Sequence, residues 1–233
     1  MDPVSASVLD TQLAYYRARA PEYDRWFRRE GRYDRGEAAT AAWRRELDEV
    51  RDLVRSDDWE GREVLELAAG TGLWTEVLVA AGARVTALDG APEMLDELTA
   101  RVGAGRVRTR CVDLFTWHPD RAYDAVVACF FVSHVPDERL DAFCGLLASA
   151  TEAGGRVLLL DGRREGTSTA SDHVLPDGAS QTMERRLDDG RAYTIVKRFR
   201  TDDELCDALA RHGVEAEATC TETYFQIVRG TRA

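Results

Sequence analysis

The sequence of 233 residues contains no asparagine, and of its 31 basic residues only Lys197 is a lysine. A phosphate-binding P-loop needs a Gly-Lys-Ser or Gly-Lys-Thr triplet, and the sequence has neither. A Schiff-base mechanism would have to use Lys197, because no other lysine is present. These absences exclude P-loop enzymes and any catalytic site that requires an asparagine side chain.

The chain also lacks long apolar runs and closely spaced cysteine pairs. The longest apolar run, residues 125–132, is far shorter than the roughly 20 residues that cross a membrane. The polar N-terminus has no hydrophobic segment typical of a signal peptide. The five cysteines form no C-x-x-C pair, which is typical of reduced thiols rather than of a disulfide framework or a zinc site. We therefore predict a cytoplasmic protein with no membrane partner.

Acidic residues outnumber basic ones, 42 to 31, and the formal net charge is −11. Binding to nucleic acids depends on neutralising phosphates with lysine and arginine, so this balance predicts no nucleic-acid partner. The excess of negative charge is typical of a protein that stays soluble. The length is that of a single α/β domain.

From Gly61 onward, short apolar strands alternate with helices. This alternation predicts a doubly wound α/β fold with a mostly parallel sheet. The predicted strands are residues 63–67, 84–88, 106–112, 123–130, 156–160, 214–220 and 223–228. The predicted helices are residues 71–81, 92–101, 137–150 and 202–211. The last two strands follow each other closely, which predicts an antiparallel terminal strand.

Two segments lie outside this alternation. Residues 1–60 are rich in arginine and contain predicted helices over 10–20 and 36–54. Residues 162–200 begin as a polar loop and continue as a predicted β-hairpin around Asp188-Asp189-Gly190-Arg191. The basic residues of the hairpin suit recognition of a carboxylate or phosphate, but their alternation favours a solvated face. They are Arg185, Arg186, Arg191, Lys197 and Arg198.

The clearest motif is a glycine turn between the first strand and the helix that follows it. Gly70 and Gly72 lack a Cβ atom, so the backbone can turn sharply and a ligand can approach it closely. Because a strand precedes them and a helix follows, the turn is typical of a nucleotide-type cofactor site. A dinucleotide fingerprint needs a third glycine at the position of Thr75.

Acidic residues accompany three consecutive strands of the predicted sheet. Glu66 precedes Gly70 by four residues, Asp89 ends the second strand, and Asp113 follows the third. Three carboxylates at one edge of a sheet repel a polyphosphate. They suit a ligand that combines a positive charge, ribose hydroxyls and an amino group.

These motifs resemble those of the class I S-adenosylmethionine (SAM)-dependent methyltransferases of the small-molecule type, closely over residues 60–162. The resemblance implies a seven-stranded Rossmann-like sheet and SAM as the cofactor. It implies a helical lid over residues 1–60 and a methyltransferase domain over 61–233, with 162–200 as a substrate-side insertion in what is overall a single domain. The implied cofactor-binding residues are Tyr16, Arg19, Glu66, Ala68, Gly70, Gly72, Asp89, Gly90, Met94, Asp113, Leu114 and Phe130.

The resemblance also suggests a role for several of these residues. Asp89 matches the acid that binds both ribose hydroxyls, and Met94 would lie on the adenine face. Asp113 and Leu114 match the pair that reads the adenine amino group. Arg19 would lie near the carboxylate of the methionine portion of the cofactor. An ordinary amphipathic helix is the alternative for the segment that carries Tyr16 and Arg19.

His134 is the candidate general base for catalysis. It follows the fourth strand, where methyl donor and acceptor are expected to meet, and its ordinary pKa suits a proton acceptor. The alternative is that His134 only orders its loop or contacts the cofactor.

Enzymes that methylate the amino groups of nucleic-acid bases carry an N/D/S-P-P-Y/F tetrapeptide where this sequence has residues 129–132, which read Cys-Phe-Phe-Val. Asp124 begins the fourth strand rather than ending it, so we predict no metal.

The sequence therefore predicts an enzyme that uses SAM to methylate a small-molecule acceptor, with specialised metabolism as one setting for the reaction. O-methylation of a hydroxyl or carboxyl group is favoured over N- or C-methylation. One alternative is a SAM-binding protein without transferase activity. The other is an NAD-dependent Rossmann oxidoreductase. Thr75, which stands at the position of the third glycine, and the acid Glu66 both disfavour that class. The oligomeric state, monomer or homodimer, is left open.

Overall fold

The computed structural model of the chain describes residues 4–178 and 180–233. Its strands are β1 (Glu63–Leu67), β2 (Arg84–Asp89), β3 (Arg108–Cys111), β4 (Tyr123–Cys129), β5 (Thr151–Gly162), β6 (Thr182–Arg186), β7 (Ala192–Val196), β8 (Val214–Cys220) and β9 (Phe225–Arg232). Its α-helices are α1 (Ala6–Arg19), α2 (Asp24–Arg28), α3 (Glu37–Arg55), α4 (Leu73–Ala80), α5 (Pro92–Val102), α6 (Asp137–Ala150) and α7 (Asp202–Ala210). Within the described residues, no helix is long and apolar enough to cross a membrane.

Seven of the strands form one sheet in the order β3-β2-β1-β4-β5-β9-β8. The five strands from β3 to β5 run parallel, and β9 runs antiparallel to both β5 and β8. The predicted doubly wound, mostly parallel fold is thus confirmed. The antiparallel strand is the C-terminal one, and it lies between its two neighbours rather than at the edge. The strand order reverses between β1 and β4, and ligands bind at such a crevice in open α/β sheets.

Both faces of the sheet are buried, as the nearly continuous apolar sequence of the inner strands requires. Alternate residues of β1 contribute to opposite sides: Val64 packs in one core with Trp43 of α3, and Leu65 packs in the other with Leu147 of α6. Residues 125–128 of β4 are fully buried. This double packing fixes the carboxyl ends of β1, β2, β4 and β5 next to one another at one edge of the sheet.

The N-terminal helices and the insertion pack together above this edge. Tyr15 of α1 is fully buried against Met183, Leu187 and Ile195 of the hairpin formed by β6 and β7. Arg17 donates to the Glu93 carboxylate at the start of α5 over 3.0 Å. At residues 20–22 the chain passes into a short 3₁₀ turn that contains Pro21, so the predicted end of the first helix is confirmed. Helix α1 therefore bridges the hairpin and the main sheet.

The element boundaries differ from the sequence predictions where glycines bend the chain. Helix α4 begins at Leu73 and not at residue 71, because Gly72 has a left-handed backbone with φ 80°. Strand β5 begins at Thr151, five residues before the predicted start, and Gly154 (φ 73°) lies inside an irregular part of it. Strand β3 is shorter than predicted, and all four of its side chains are exposed at the edge of the sheet.

Candidate active site

A cavity of about 370 Å³ opens at the carboxyl edge of the sheet, beside the crevice between β1 and β4. The ends of the strands form one side of it, and α1 covers the other. Ten of the residues predicted from the sequence line this cavity. They are Tyr16, Ala68, Gly70, Asp89, Gly90, Met94, Asp113, Leu114, Phe130 and His134.

The glycine turn is held in place by the carboxylate of Asp89. The backbone N–H of Gly70 donates to one carboxylate oxygen over 2.9 Å, and that of Ala91 donates to the other over 2.8 Å. Burial raises the pKa of Asp89, while these backbone N–H bonds oppose the rise. Ala68, at the start of the turn, has φ 52°, a conformation that non-glycine residues rarely adopt and that often marks a functional site.

Glu66 and Gly72 lie outside the cavity lining, although the sequence placed both among the cofactor-binding residues. Glu66 is 1% exposed and accepts a hydrogen bond from the Thr75 hydroxyl over 2.6 Å. Burial raises the pKa of Glu66 to about 8. Thr75 occupies the position of the missing third glycine, so the pair joins β1 to α4 beneath the turn. Direct contact of Glu66 or Gly72 with a cofactor stays a prediction.

The two glycines give a matched pair of substitutions with separate expected effects. A Cβ atom at Gly72 would lie 2.7 Å from Cγ of Leu98, so Gly72→Ala is expected to lower the free energy of unfolding by about 2–4 kcal/mol through strain and overpacking. A Cβ atom at Gly70 meets nothing within 4 Å but would face the cavity. Gly70→Ala is expected to cost only about 1 kcal/mol of stability while weakening SAM binding. Chemical denaturation and calorimetric titration of each variant with SAM check this; equal stability losses would contradict it.

His134 lies in a short 3₁₀ turn, Val132–His134, directly after β4, and is 7% exposed. Its Nδ1 atom is 2.7 Å from the carbonyl oxygen of Val196, and its Nε2 atom is 2.8 Å from the Tyr16 hydroxyl. Because a carbonyl only accepts, Nδ1 carries the proton and Nε2 accepts from Tyr16. Burial lowers the pKa of His134 well below its ordinary value, and the positive charge of Lys197 contributes to the same change. The imidazole is therefore neutral and presents its lone pair to Tyr16.

A second, smaller cavity of about 40 Å³ adjoins the first and is called the basic compartment here. Both cavities are lined by Tyr16, Tyr23, Phe130 and His134. The basic compartment takes its name from Arg19 of α1, Arg185 of β6 and Lys197, which follows β7; these residues are only 5%, 9% and 8% exposed. Arg19, which the sequence placed beside the methionine portion of the cofactor, lines this compartment and not the larger cavity.

The interpretation of the hairpin cations as a solvated face is right for some of them and wrong for others. Arg186 and Arg191 are exposed, and each forms an ion pair with a nearby carboxylate on the hairpin. Arg185 and Lys197 point inward. The reason is the packing of the hairpin on α1, which turns one face of the small sheet toward the site.

Lys197 belongs to a buried polar group at the ends of β4 and β5. Its Nζ atom donates to the Ser133 hydroxyl over 2.7 Å and lies 3.6 Å from the nearer carboxylate oxygen of Asp161. The Ser133 hydroxyl donates in turn to Asp161 over 2.9 Å. Burial lowers the pKa of Lys197 to about 8, and the Asp161 charge opposes that change. The sequence signals for this residue are that it is the single lysine of an arginine-rich chain and that it is one of the basic residues of the predicted hairpin.

Sequence reasoning missed several residues that line the larger cavity, among them Gln12 and Leu13 of α1 and Arg139 of α6. No motif marks them, because tertiary packing alone brings them to the site. Gln12 donates to the carbonyl oxygen of His134 over 3.3 Å and accepts from the N–H of Val196 over 3.0 Å. Across residues 4–178 and 180–233, no cluster of three or more His, Cys, Asp or Glu side chains could hold a metal ion.

Comparison with known sequences places a methyltransferase domain over residues 64–155. The chain is 29% identical over 109 residues to a demethylmenaquinone methyltransferase of Tropheryma whipplei (strain Twist), covering 43% of this chain and 42% of that protein. It is 28% identical over 138 residues to a ubiquinone biosynthesis O-methyltransferase of Idiomarina loihiensis, covering 54% and 56%. The chain thus matches only about half the length of these relatives.

Comparison with solved structures extends the similarity over the whole chain. A complex of DhpI with SAM and HEP superposes with a TM-score of 0.78 and 35% sequence identity, covering 99% of this chain and 100% of DhpI. The complex of DhpI with SAH, S-adenosylhomocysteine, gives a TM-score of 0.75 and 34% identity. This chain belongs to the class I SAM-dependent methyltransferases.

Proposed function

We propose that this enzyme transfers the methyl group of SAM to an oxygen atom of a small-molecule acceptor. The observation that carries the proposal is the junction between the two cavities, where Tyr16, Phe130 and His134 line both. Methyl transfer needs donor and acceptor atoms held about 3–3.5 Å apart and in line. A cofactor in the larger cavity and an acceptor in the basic compartment meet at this junction.

The larger cavity is lined by residues that suit SAM. Asp89 presents a carboxylate beside the glycine turn, and Met94 and Leu114 supply an apolar wall for a purine ring. The open space at the missing Cβ atom of Gly70 lets a ligand approach the backbone. We propose that Asp89 binds the ribose hydroxyls and that Asp113 accepts from the adenine amino group. When bound, SAM supplies an activated methyl group on a cationic sulfur.

The pair formed by Tyr16 and His134 is the proposed proton acceptor for a hydroxyl. Burial holds the pKa of Tyr16 well above its ordinary value, so its hydroxyl stays protonated and donates to His134. The part of this chain in the step is proton transfer: the acceptor hydroxyl would release its proton to the Tyr16 oxygen, and the Tyr16 proton would pass to Nε2 of His134. We further propose that residues 1–60 act as the lid, because α1 contributes Tyr16 to the site.

One of the relatives supports oxygen as the atom that is methylated. One of the curated relatives is an O-methyltransferase by name, and both are named for quinones or their biosynthesis. The absence of asparagine, and of a Pro-Pro pair after β4, disfavours the class that methylates amino groups of nucleic-acid bases. These points favour O-methylation without naming the acceptor.

The test is methyl transfer from radiolabelled SAM to a panel of small hydroxyl, carboxyl, phosphate and amine compounds. We expect label in a methyl ether or methyl ester, identified by mass spectrometry, together with an equal amount of S-adenosylhomocysteine. Heat-denatured enzyme and omission of the acceptor are the controls. Label in N-methyl or C-methyl products only, or no transfer despite SAM binding, would overturn the proposal.

A further inference from the structure

We infer that the basic compartment binds an oxyanion of the acceptor, a carboxylate or a phosphate-type group, through Arg19, Arg185 and Lys197. The inference deepens the proposed function and rests on it, because it assigns a chemical class to the acceptor. The three cations come from three separate parts of the chain, on α1, on β6 and after β7. Their convergence is therefore a property of the folded site and not of a local run of charge.

The charges of the basic compartment are not balanced by the protein itself. Among the residues that the structure describes, Asp161 is the one carboxylate in contact with this group of cations, at 3.6 Å from Lys197. Its oxygens already accept from the N–H and hydroxyl of Ser133 and from the N–H of Gly162. Within residues 4–178 and 180–233, neither Arg19 nor Arg185 forms an ion pair with a carboxylate. A bound anion would supply the missing negative charge.

Both arginines also keep a buried donor without a partner. The Nε atoms of Arg19 and Arg185 are shielded from solvent and form no hydrogen bond within the described part of the chain. A buried charged group that lacks hydrogen bonds is costly, and such groups are normally paired. Planar guanidinium groups match the geometry of carboxylate and phosphate oxygens. The guanidinium groups of Arg19 and Arg185, which line the basic compartment, are therefore suited to an oxyanion ligand.

The arginines are held in position before any ligand arrives. The Arg19 guanidinium lies 4.7 Å from the ring centre of Tyr23 and 5.5 Å from that of Tyr15. Arg185 donates to the Thr169 hydroxyl and lies 2.7 Å from Nδ1 of His173. Cations fixed in this way lose little further freedom when they bind an anion. The compartment is thus preorganised for one compact charged group.

The location of the basic compartment connects anion binding to the reaction. Because Tyr16, Phe130 and His134 line both cavities, an oxyanion held by the cations places the rest of the acceptor at the junction with the donor cavity. A volume of about 40 Å³ suits a single small group rather than a ring. The compartment therefore selects acceptors by charge and orients them for transfer.

The experiment measures anion binding directly and does not use activity as its readout. Inorganic phosphate and, separately, acetate are titrated calorimetrically into enzyme saturated with S-adenosylhomocysteine. We expect saturable binding of at least one anion, weakened at least tenfold in Arg185→Gln and in Lys197→Met. The matched control is Arg191→Gln, an exposed arginine of the same hairpin that pairs with Asp189, and it should bind the anion like the original enzyme. Unchanged affinity for S-adenosylhomocysteine shows that each variant is folded.

Each outcome decides the inference. Phosphate binding alone identifies a phosphate-type group, and acetate binding alone identifies a carboxylate. No binding of either anion, or equal weakening in Arg191→Gln, overturns the inference. If a neutral acceptor is methylated efficiently while no anion binds, the proposed function stands and this inference fails. If anions bind in the compartment but no methyl group is transferred to any oxygen, the proposed function fails instead.

Discussion

His134→Ala is expected to lower kcat for a hydroxyl acceptor by about 100-fold or more, the range typical of general acid–base catalysis. The reason is the hydrogen bond between Nε2 of His134 and the Tyr16 hydroxyl, which gives the acceptor proton a path to a neutral imidazole. Affinity for SAM should change little, because the carboxylate proposed to hold the ribose belongs to Asp89. Steady-state kinetics and calorimetric titration with SAM measure the two effects separately.

Two further variants separate catalysis by His134 from its structural role. Tyr16→Phe removes the hydroxyl but leaves the bond between His134 and the Val196 carbonyl, so a similar loss of kcat supports transfer through Tyr16. His118→Ala changes an exposed histidine and should leave kcat unaltered. A loss of SAM affinity that parallels the loss of kcat in His134→Ala would show that His134 is a binding residue.

The pH profile gives an independent check on His134 as the base. The neutral imidazole is the active form, and burial holds the pKa of His134 well below its ordinary value of about 6.5. The neutral form therefore persists as the pH falls below 6.5, and kcat/KM should show no acid-side decline centred near that value. A decline centred near pH 6.5 that disappears in His134→Ala would contradict the buried, neutral state described here.

Asp89→Ala is expected to weaken SAM binding by about 1.5–3 kcal/mol, the range for hydrogen bonds to a charged group. This corresponds to a change in Kd of about ten- to one-hundredfold or slightly more. The carboxylate holds the N–H groups of Gly70 and Ala91, so its removal also frees the glycine turn. Calorimetric titration with SAM and with S-adenosylhomocysteine checks the prediction.

Two comparisons make the Asp89 result specific. Asp89→Asn keeps the size of the side chain and one carbonyl oxygen but loses the charge, so its effect should be smaller than that of alanine. Asp96→Ala removes an exposed carboxylate on α5 and should not change the affinity. Equal affinity of Asp89→Ala and the unmodified enzyme for SAM would refute the proposed ribose contact.

Much of the fold follows from hydrophobic patterning along the chain. The apolar run of β4 and the alternating strands and helices require a sheet covered on both faces, and the structure has this arrangement. The glycine turn and Asp89 were located because strand ends and turn residues have strong local signatures. Family membership sets aside the NAD-dependent oxidoreductase, and the methyl-transfer assay tests the alternative of a SAM-binding protein without transferase activity.

The parts of the site that the sequence did not predict depend on long-range packing. The inward face of the hairpin is set by Tyr15 of α1, more than 160 residues earlier in the chain, so alternation along β6 cannot tell which arginine is buried. Glu66 is a case in which a local motif and the lining of the cavity differ. The motif predicts that this acid binds the cofactor, but its carboxylate lies beneath the turn and accepts a hydrogen bond from the Thr75 hydroxyl. The domain boundaries and the cytoplasmic location stay predictions.

The position of α1 has a kinetic consequence. Tyr16 lines both cavities, and Gln12 holds the helix to His134 and to Val196 at once. The donor side cannot open on this face while the acceptor side stays closed, because the same helix covers both. If α1 acts as the proposed lid, one movement of this helix would open both cavities together, and release of the spent cofactor would be coupled to release of the product.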